Sequence, residues 1–95
     1  MVKQGELGTT DTLLGGNATY KVPYVITSIR FRSPSSSVLT VSRYSRKDNR
    51  TDIVYQYTLA AGDTVIDSSS YTLEPGDFLY ARGSVSGITY ILTTP

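Results

Sequence analysis

The sequence predicts an all-β protein, either an antiparallel β-sandwich or a jelly-roll-like barrel of about eight short strands. Three observations carry that expectation. Thr, Ser, Val, Ile and Tyr dominate, with Tyr at eight positions, while Glu occurs only at Glu6 and Glu74; β-branched and aromatic side chains fit a pleated, half-buried surface. Apolar and polar residues alternate with period two, and no window carries a helical stripe. Turn residues recur at short spacing, most plainly in a phrase used twice. Tyr57-Thr58-Leu59-Ala60-Ala61-Gly62-Asp63-Thr64-Val65 returns fourteen residues later as Tyr71-Thr72-Leu73-Glu74-Pro75-Gly76-Asp77-Phe78-Leu79. Evenly spaced short strands with turn signals between them are the signature of a sandwich or jelly roll.

Each element follows from local pattern. Residues 1–17 are polar and rich in Gly and Thr, with Leu7, Leu13 and Leu14 as anchors, and read as an N-terminal arm or weak edge strand. Gly15-Gly16-Asn17 reads as a turn, and Ala18 to Val22 as a short strand closed by Pro23, which lacks a ladder donor. Tyr24 to Arg32 is the clearest strand, with Val25, Thr27, Ile29 and Phe31 on one face and Ile26, Ser28, Arg30 and Arg32 on the other. Ser33 to Ser37 is a loop by composition. Val38 to Tyr44 is a strand with Leu39 and Val41 inward, and Arg43 to Asp52 is a polar hairpin loop or projecting connection. Ile53, Tyr55, Tyr57 and Leu59 alternate again. The first copy of the phrase turns at Ala60–Asp63, Thr64–Asp67 is a short strand, and Ser68–Ser70 a loop. Pro75-Gly76 suits the centre of a type II turn, since Pro presets φ and Gly accepts a positive one. Phe78–Arg82 and Ile88–Thr93 are the last strands, joined by a turn at Gly83–Gly87.

Ninety-five residues make one domain, expected as the 1–17 arm or edge strand and a single β-sandwich over 18–95. A chain of this size buries roughly 60–65% of its unfolded surface, a modest core that oligomer formation would extend. The formal net charge of +1 lacks the strong basic excess of a nucleic-acid-binding domain. No cysteine is present, so no disulfide staples the fold. The start, Met1 to Glu6, has no apolar h-region, so no cleaved secretory signal is expected. No apolar run approaches the roughly 20 residues of a membrane-spanning helix, and a soluble protein made in a cytoplasm is expected, without a membrane partner. Asn17-Ala18-Thr19 and Asn49-Arg50-Thr51 match the loose glycosylation pattern by chance on that reading.

Catalysis has poor raw material. His and Cys are both missing, which removes the usual proton shuttle and the most reactive nucleophile. No enzyme, cofactor or metal site is expected. Asp63 and Asp77 each follow a turn glycine, where a carboxylate accepts nearby backbone N–H groups, so each is read as serving its own turn. Asp48-Asn49-Arg50-Thr51-Asp52 is the nearest approach to a calcium loop, and Arg50 in its middle argues against one. The contact candidates are cationic. Arg30, Arg32, Arg43, Arg46, Lys47 and Arg50 hold six of the nine cations, with Tyr44 among them. Nucleic acid, an acidic protein surface and a solvated strand edge are the three readings of that cluster; the nearby Asp48 and Asp52 weigh against nucleic acid. Tyrosines could form a carbohydrate platform, but Tyr55, Tyr57 and Tyr90 alternate with apolar residues, which suits a core or a subunit interface.

The order of signals resembles a group of small all-β structural proteins of tailed bacteriophages. The matching pieces are Val22-Pro23, Ile26-Thr27-Ser28-Ile29-Arg30-Phe31, Val41-Ser42-Arg43-Tyr44, Leu59-Ala60-Ala61-Gly62-Asp63 and Leu73-Glu74-Pro75-Gly76-Asp77-Phe78-Leu79, spanning about residues 18–93. Ser33-Pro34 stands where such proteins often carry Asn-Thr. The resemblance implies a non-enzymatic virion protein. The first expectation is a capsid decoration or cement protein that stabilises a phage head by bridging subunits of the major capsid protein. It would sit there as a homo-oligomer, a trimer by the family's habit. Arg43, Arg46, Lys47, Arg50 and, from the N-terminal segment, Leu7 are the expected protein-contact residues. A neck, tail or baseplate accessory, or a carbohydrate-binding module on a tail fibre, is the alternative.

Overall fold

The structure is a computed structural model that describes residues 2–16 and 24–95; the expected strand over 18–22 and the Val22-Pro23 piece lie outside the described residues. The fold is all-β, and its logic is a single long hairpin folded back on itself. Ten strands are described: β1 (Val2–Glu6), β2 (Thr12–Gly16), β3 (Tyr24–Ile26), β4 (Ser28–Arg32), β5 (Ser37–Ser45), β6 (Arg50–Leu59), β7 (Thr64–Asp67), β8 (Tyr71–Leu73), β9 (Phe78–Gly83) and β10 (Thr89–Thr93). First pairs with last and so on inward: β1 with β10, β2 with β9, β3 with β8, β4 with β7, and β5 with β6 at the tip, all antiparallel. Two further pairings, β10 with β4 and β5 with β9, lock the wound hairpin. The result is a sheet β1-β10-β4-β7, a sheet β2-β9-β5-β6 and a two-stranded ribbon β3-β8. This nested order is how a jelly roll is wound. The sheets form an open sandwich, so the closed-barrel alternative is not met: β1, β7, β2 and β6 remain edge strands.

Inward residues of both large sheets form one core. Ile29 and Phe31 of β4 and Leu92 of β10 meet Leu14 of β2, Leu39 and Val41 of β5, and Leu79 and Ala81 of β9 in one cluster, each 0% exposed. Each fully buried Leu or Phe contributes about 1.5–3 kcal/mol relative to exposure.

The expected single strand from Tyr24 to Arg32 is two strands, broken at Thr27. Backbone and hydroxyl of Thr27 both donate to the Thr93 carbonyl, each at 2.9 Å. The break lets the chain leave the ribbon for the β4 sheet, and it resets the alternation: Ile26 and Ile29 are both fully buried, although strict period two would place them on opposite faces. Ser33, expected as loop surface, is buried because its backbone bonds to the first turn of the doubled phrase, with Ser33 N donating to Asp63 O and Gly62 N to Ser33 O. Ile53 and Tyr57 differ from the inward alternation that their spacing suggests: they are 56% and 47% exposed, and Leu59 alone of the four is buried. β6 is an edge strand, and the extra residue Val54 shifts its register against β5, so that Tyr55 pairs Val41 while Ile53 pairs Ser42. The shift moves Ile53 to the outer face.

Both copies of the doubled phrase are corners between sheets. The first carries the chain from β6 to β7, the second from β8 to β9. Each buries its Leu, at Leu59 and Leu73. Each turns on a positive-φ glycine, Gly62 at 86° and Gly76 at 92°. Each closes with the Asp amide donating three residues back, to Ala60 O at 3.1 Å and Glu74 O at 2.8 Å.

Candidate functional site

The cationic stretch forms the tip of the wound hairpin. β5 and β6 stay paired out to Ser45 and Arg50, leaving a four-residue turn, Arg46–Asn49. Asn49 takes a φ of 50°, a left-handed conformation that Asn tolerates. Its amide donates to Arg46 O at 3.3 Å, and its side chain accepts from Tyr44 OH at 2.8 Å. Arg46, Lys47 and Arg50 are exposed at this tip. Arg50 pairs with Asp52 at 3.0 Å on the open surface, a geometry worth under about 1 kcal/mol.

Asp77 of the second turn fixes this tip to the body. It is 5% exposed. Its Oδ1 accepts the Arg46 amide at 3.0 Å, and its Oδ2 accepts Arg43 Nη2 at 3.0 Å. Arg43 also donates to Thr72 O at 3.1 Å. Burial raises the Asp77 pKa, but the Arg46 amide and the Arg43 guanidinium outweigh it and hold the carboxyl below its usual range. Each turn carboxylate serves its own turn as expected, Asp63 accepting Ala60 N at 2.8 Å and Asp77 a hydrogen bond from the Glu74 backbone. Asp77 in addition reaches across to another hairpin. Sequence alone hides this, because the partners lie some thirty residues away.

Two expected contact residues have internal duties. Arg43 is committed to Asp77 and Thr72. Leu7 is a core residue at 1% exposure, held by its amide donating to Ile88 O and its carbonyl accepting from Gly87 N; burial corrects its expected contact role. Nor do the six cations form one patch. Arg30 and Arg32 lie on the outer face of the other large sheet, in register with Ile91 and Thr89 of β10.

A second cluster centres on Asp67. Asp67 closes β7 opposite Ile29, so it faces inward and is only 9% exposed. Its Oδ2 accepts Tyr55 OH at 2.6 Å and Tyr71 OH at 2.5 Å, and its Oδ1 accepts Ser69 N at 3.0 Å. One carboxylate thereby ties β6 of one sheet, β7 of the other and β8 of the ribbon. Burial and the anionic neighbour push both phenols above their ordinary pKa. Desolvation raises the Asp67 pKa, but the two phenol hydrogen bonds and those from Ser69 outweigh it and keep it low. A carboxylate accepting these three hydrogen bonds, two of them from phenols held in their protonated form, acts as a latch between strands. The available signal was that Val65 and Asp67 alternate onto the same face, which places an acid at an inward strand position.

The outer face of the β2-β9-β5-β6 sheet carries an aromatic row. Tyr44 and Phe78 have ring centroids 6.2 Å apart, Phe78 and Tyr80 6.3 Å. Leu13 and Ile53 flank it, 43% and 56% exposed. Of the tyrosines whose spacing suits a core or an interface, Tyr90 is buried and Tyr55 is held by Asp67. Among the described residues, no group of three or more Asp or Glu side chains converges as a metal site would require. Comparison with protein-family models, curated proteins and solved structures found no match.

Proposed function

We propose that this chain is a non-enzymatic structural protein of a tailed-phage particle, a capsid decoration or cement protein that bridges coat subunits. The observation that carries the reading is the anchored cationic tip. A loop with no task beyond connection needs no clamp, yet Arg46–Asn49 is held by a buried carboxylate, and Arg46, Lys47 and Arg50 are presented at the end of the molecule's longest hairpin. A preorganised tip of this kind loses little entropy on docking, and its charge suits an acidic coat surface. The likeness of residues 18–93 to phage structural proteins supplies the setting. Each attached copy would add buried surface between neighbouring coat subunits and so raise the free energy needed to separate them.

The test is attachment. The triple variant Arg46→Ala/Lys47→Ala/Arg50→Ala should keep its circular dichroism and lose only a few degrees of thermal midpoint, because all three residues are exposed and the surface pair Arg50–Asp52 and the Arg46 stem over Gly76 are small losses. Its occupancy on purified particles lacking the protein should fall at least tenfold at equal concentration. Undiminished occupancy would overturn the reading. The glycan-binding alternative is favoured by the Tyr44–Phe78–Tyr80 row; binding to a glycan array that Tyr80→Ala abolishes would replace the first reading with that one.

A further inference from the structure

We infer that β6 is the seam of a two-fold homodimer, in which β6 of one chain pairs antiparallel with β6 of a second copy about an axis at Tyr57. β6 is the longest strand of the protein and an edge. From Ile53 to Leu59 it has no charge, no Pro and no Gly, none of the devices by which natural edges resist pairing, apart from the register shift at Val54. Ile53, Val54 and Tyr57 are exposed on it.

The pattern names the occupant. Beyond the shift, Tyr55–Leu59 is regular against β5. Tyr55, Tyr57 and Leu59 pair with Val41, Leu39 and Ser37, while Gln56 and Thr58 pair with Thr40 and Val38. Apolar and polar positions thus read the same in either direction from Tyr57. An antiparallel copy centred there sets Tyr57 on Tyr57, Gln56 on Thr58 and Tyr55 on Leu59, every pair sharing a face. Isologous interfaces demand such self-complementarity, and aromatic and polar cross-strand pairs stabilise it. The paired stretch Ile53–Leu59 brings no charge to the seam, and the charges beyond it, Arg50 and Asp52, are already paired with each other. Two four-stranded sheets would become one of eight strands. This differs from the threefold association implied by resemblance, and it does not depend on what the particle partner is.

Sedimentation equilibrium on the full chain at tens of micromolar should give twice the 10.4 kDa chain mass. Y57K and Y57E should each be folded monomers, since like charges would meet on the axis, and mixing them in equal amounts should restore the doubled mass. L13K, on the opposite edge, should remain dimeric. Without any variant, β6 amides should gain hydrogen-exchange protection as concentration rises through the dimer range. A monomeric or trimeric wild type, a dimeric Y57K, a mixture that stays monomeric, or concentration-independent exchange along β6 would each overturn the inference.

Discussion

Asp67→Ala should destabilise the fold by about 3 kcal/mol, the range for losing hydrogen bonds to a charged group and stranding their buried partners. For a domain of this size that lowers Tm by roughly 15 °C, a large share of a typical total stability of about 5–15 kcal/mol. The reason lies in what the carboxylate joins. Tyr55 OH of β6, Tyr71 OH of β8 and Ser69 N of the loop between β7 and β8 all converge on it, so that β7, β6 and β8, which belong to three different sheets, are tied at one carboxylate. Removing it leaves three donors without an acceptor on the side of the sandwich where β6 and β7 are both edges. Asp67→Asn should cost less, about 2 kcal/mol, because an amide oxygen in the Oδ2 position still accepts both phenols while the NH2 group meets the Ser69 amide, donor against donor.

The same latch sets two limbs of the pH dependence. The folded-state pKa of Asp67 is depressed, so its stabilisation is present above the unfolded value near 4 and is lost as pH falls through the lower folded value. The phenols of Tyr55 and Tyr71 are raised, so their stabilisation is present below their unfolded value near 10 and is lost as pH rises above it. Denaturant titrations across pH should show a plateau between those limits. Tyr55→Phe/Tyr71→Phe should flatten the alkaline fall, and Asp67→Asn should blunt the acid one. A wild-type alkaline limb unchanged in the double Phe variant would remove the latch from the account.

How much of this was legible in the sequence depends on the range of the interaction. Period-two alternation and turn chemistry are local, so the all-β class, the Leu39 and Val41 inward face and both glycine corners could be read directly. Thr27 could not, because its break is driven by Thr93, at the far end of the chain. Tyr57 keeps the inward face opposite Leu39, and its exposure is decided by sheet order, since β6 is an edge; Ile53 is turned outward by the register shift at Val54, and the alternation shows neither. At the candidate site, exposure of Arg46, Lys47 and Arg50 follows from a charged hairpin loop. The roles of Arg43 and Leu7 do not, since each is fixed by partners on distant strands. The acids show the same limit. Asp63 and Asp77 both bind within their own turns, as their contexts indicate, and Asp67 finds Ser69 and Tyr71 close by in sequence; the Asp77 contacts with Arg43 and Arg46 are the ones that only the wound topology brings near.

The doubled phrase supplies an internal control for the second large effect. Asp77→Ala should cost about 2–3 kcal/mol by removing the ion pair to Arg43 and the acceptor of the Arg46 amide, while Asp63→Ala, which loses one exposed turn bond to Ala60, should cost under about 1 kcal/mol. The preceding glycines separate backbone from packing. Both hold left-handed φ, so an alanine at either position meets a backbone cost of roughly 1–2 kcal/mol. At Gly62 an added Cβ would have no neighbour within 4 Å; at Gly76 it would lie 2.3 Å from Arg46 Cδ. Gly76→Ala should therefore be clearly worse than Gly62→Ala in chemical denaturation, the excess measuring how tightly Arg46 is laid over the turn. Because the clamp orients the tip and does not supply its charge, the proposed role in particle attachment predicts that Asp77→Ala weakens attachment with Arg46, Lys47 and Arg50 all still present. Equal losses for the two glycine variants would show that the second corner is only a corner, and that the cationic tip is held by its own hairpin alone.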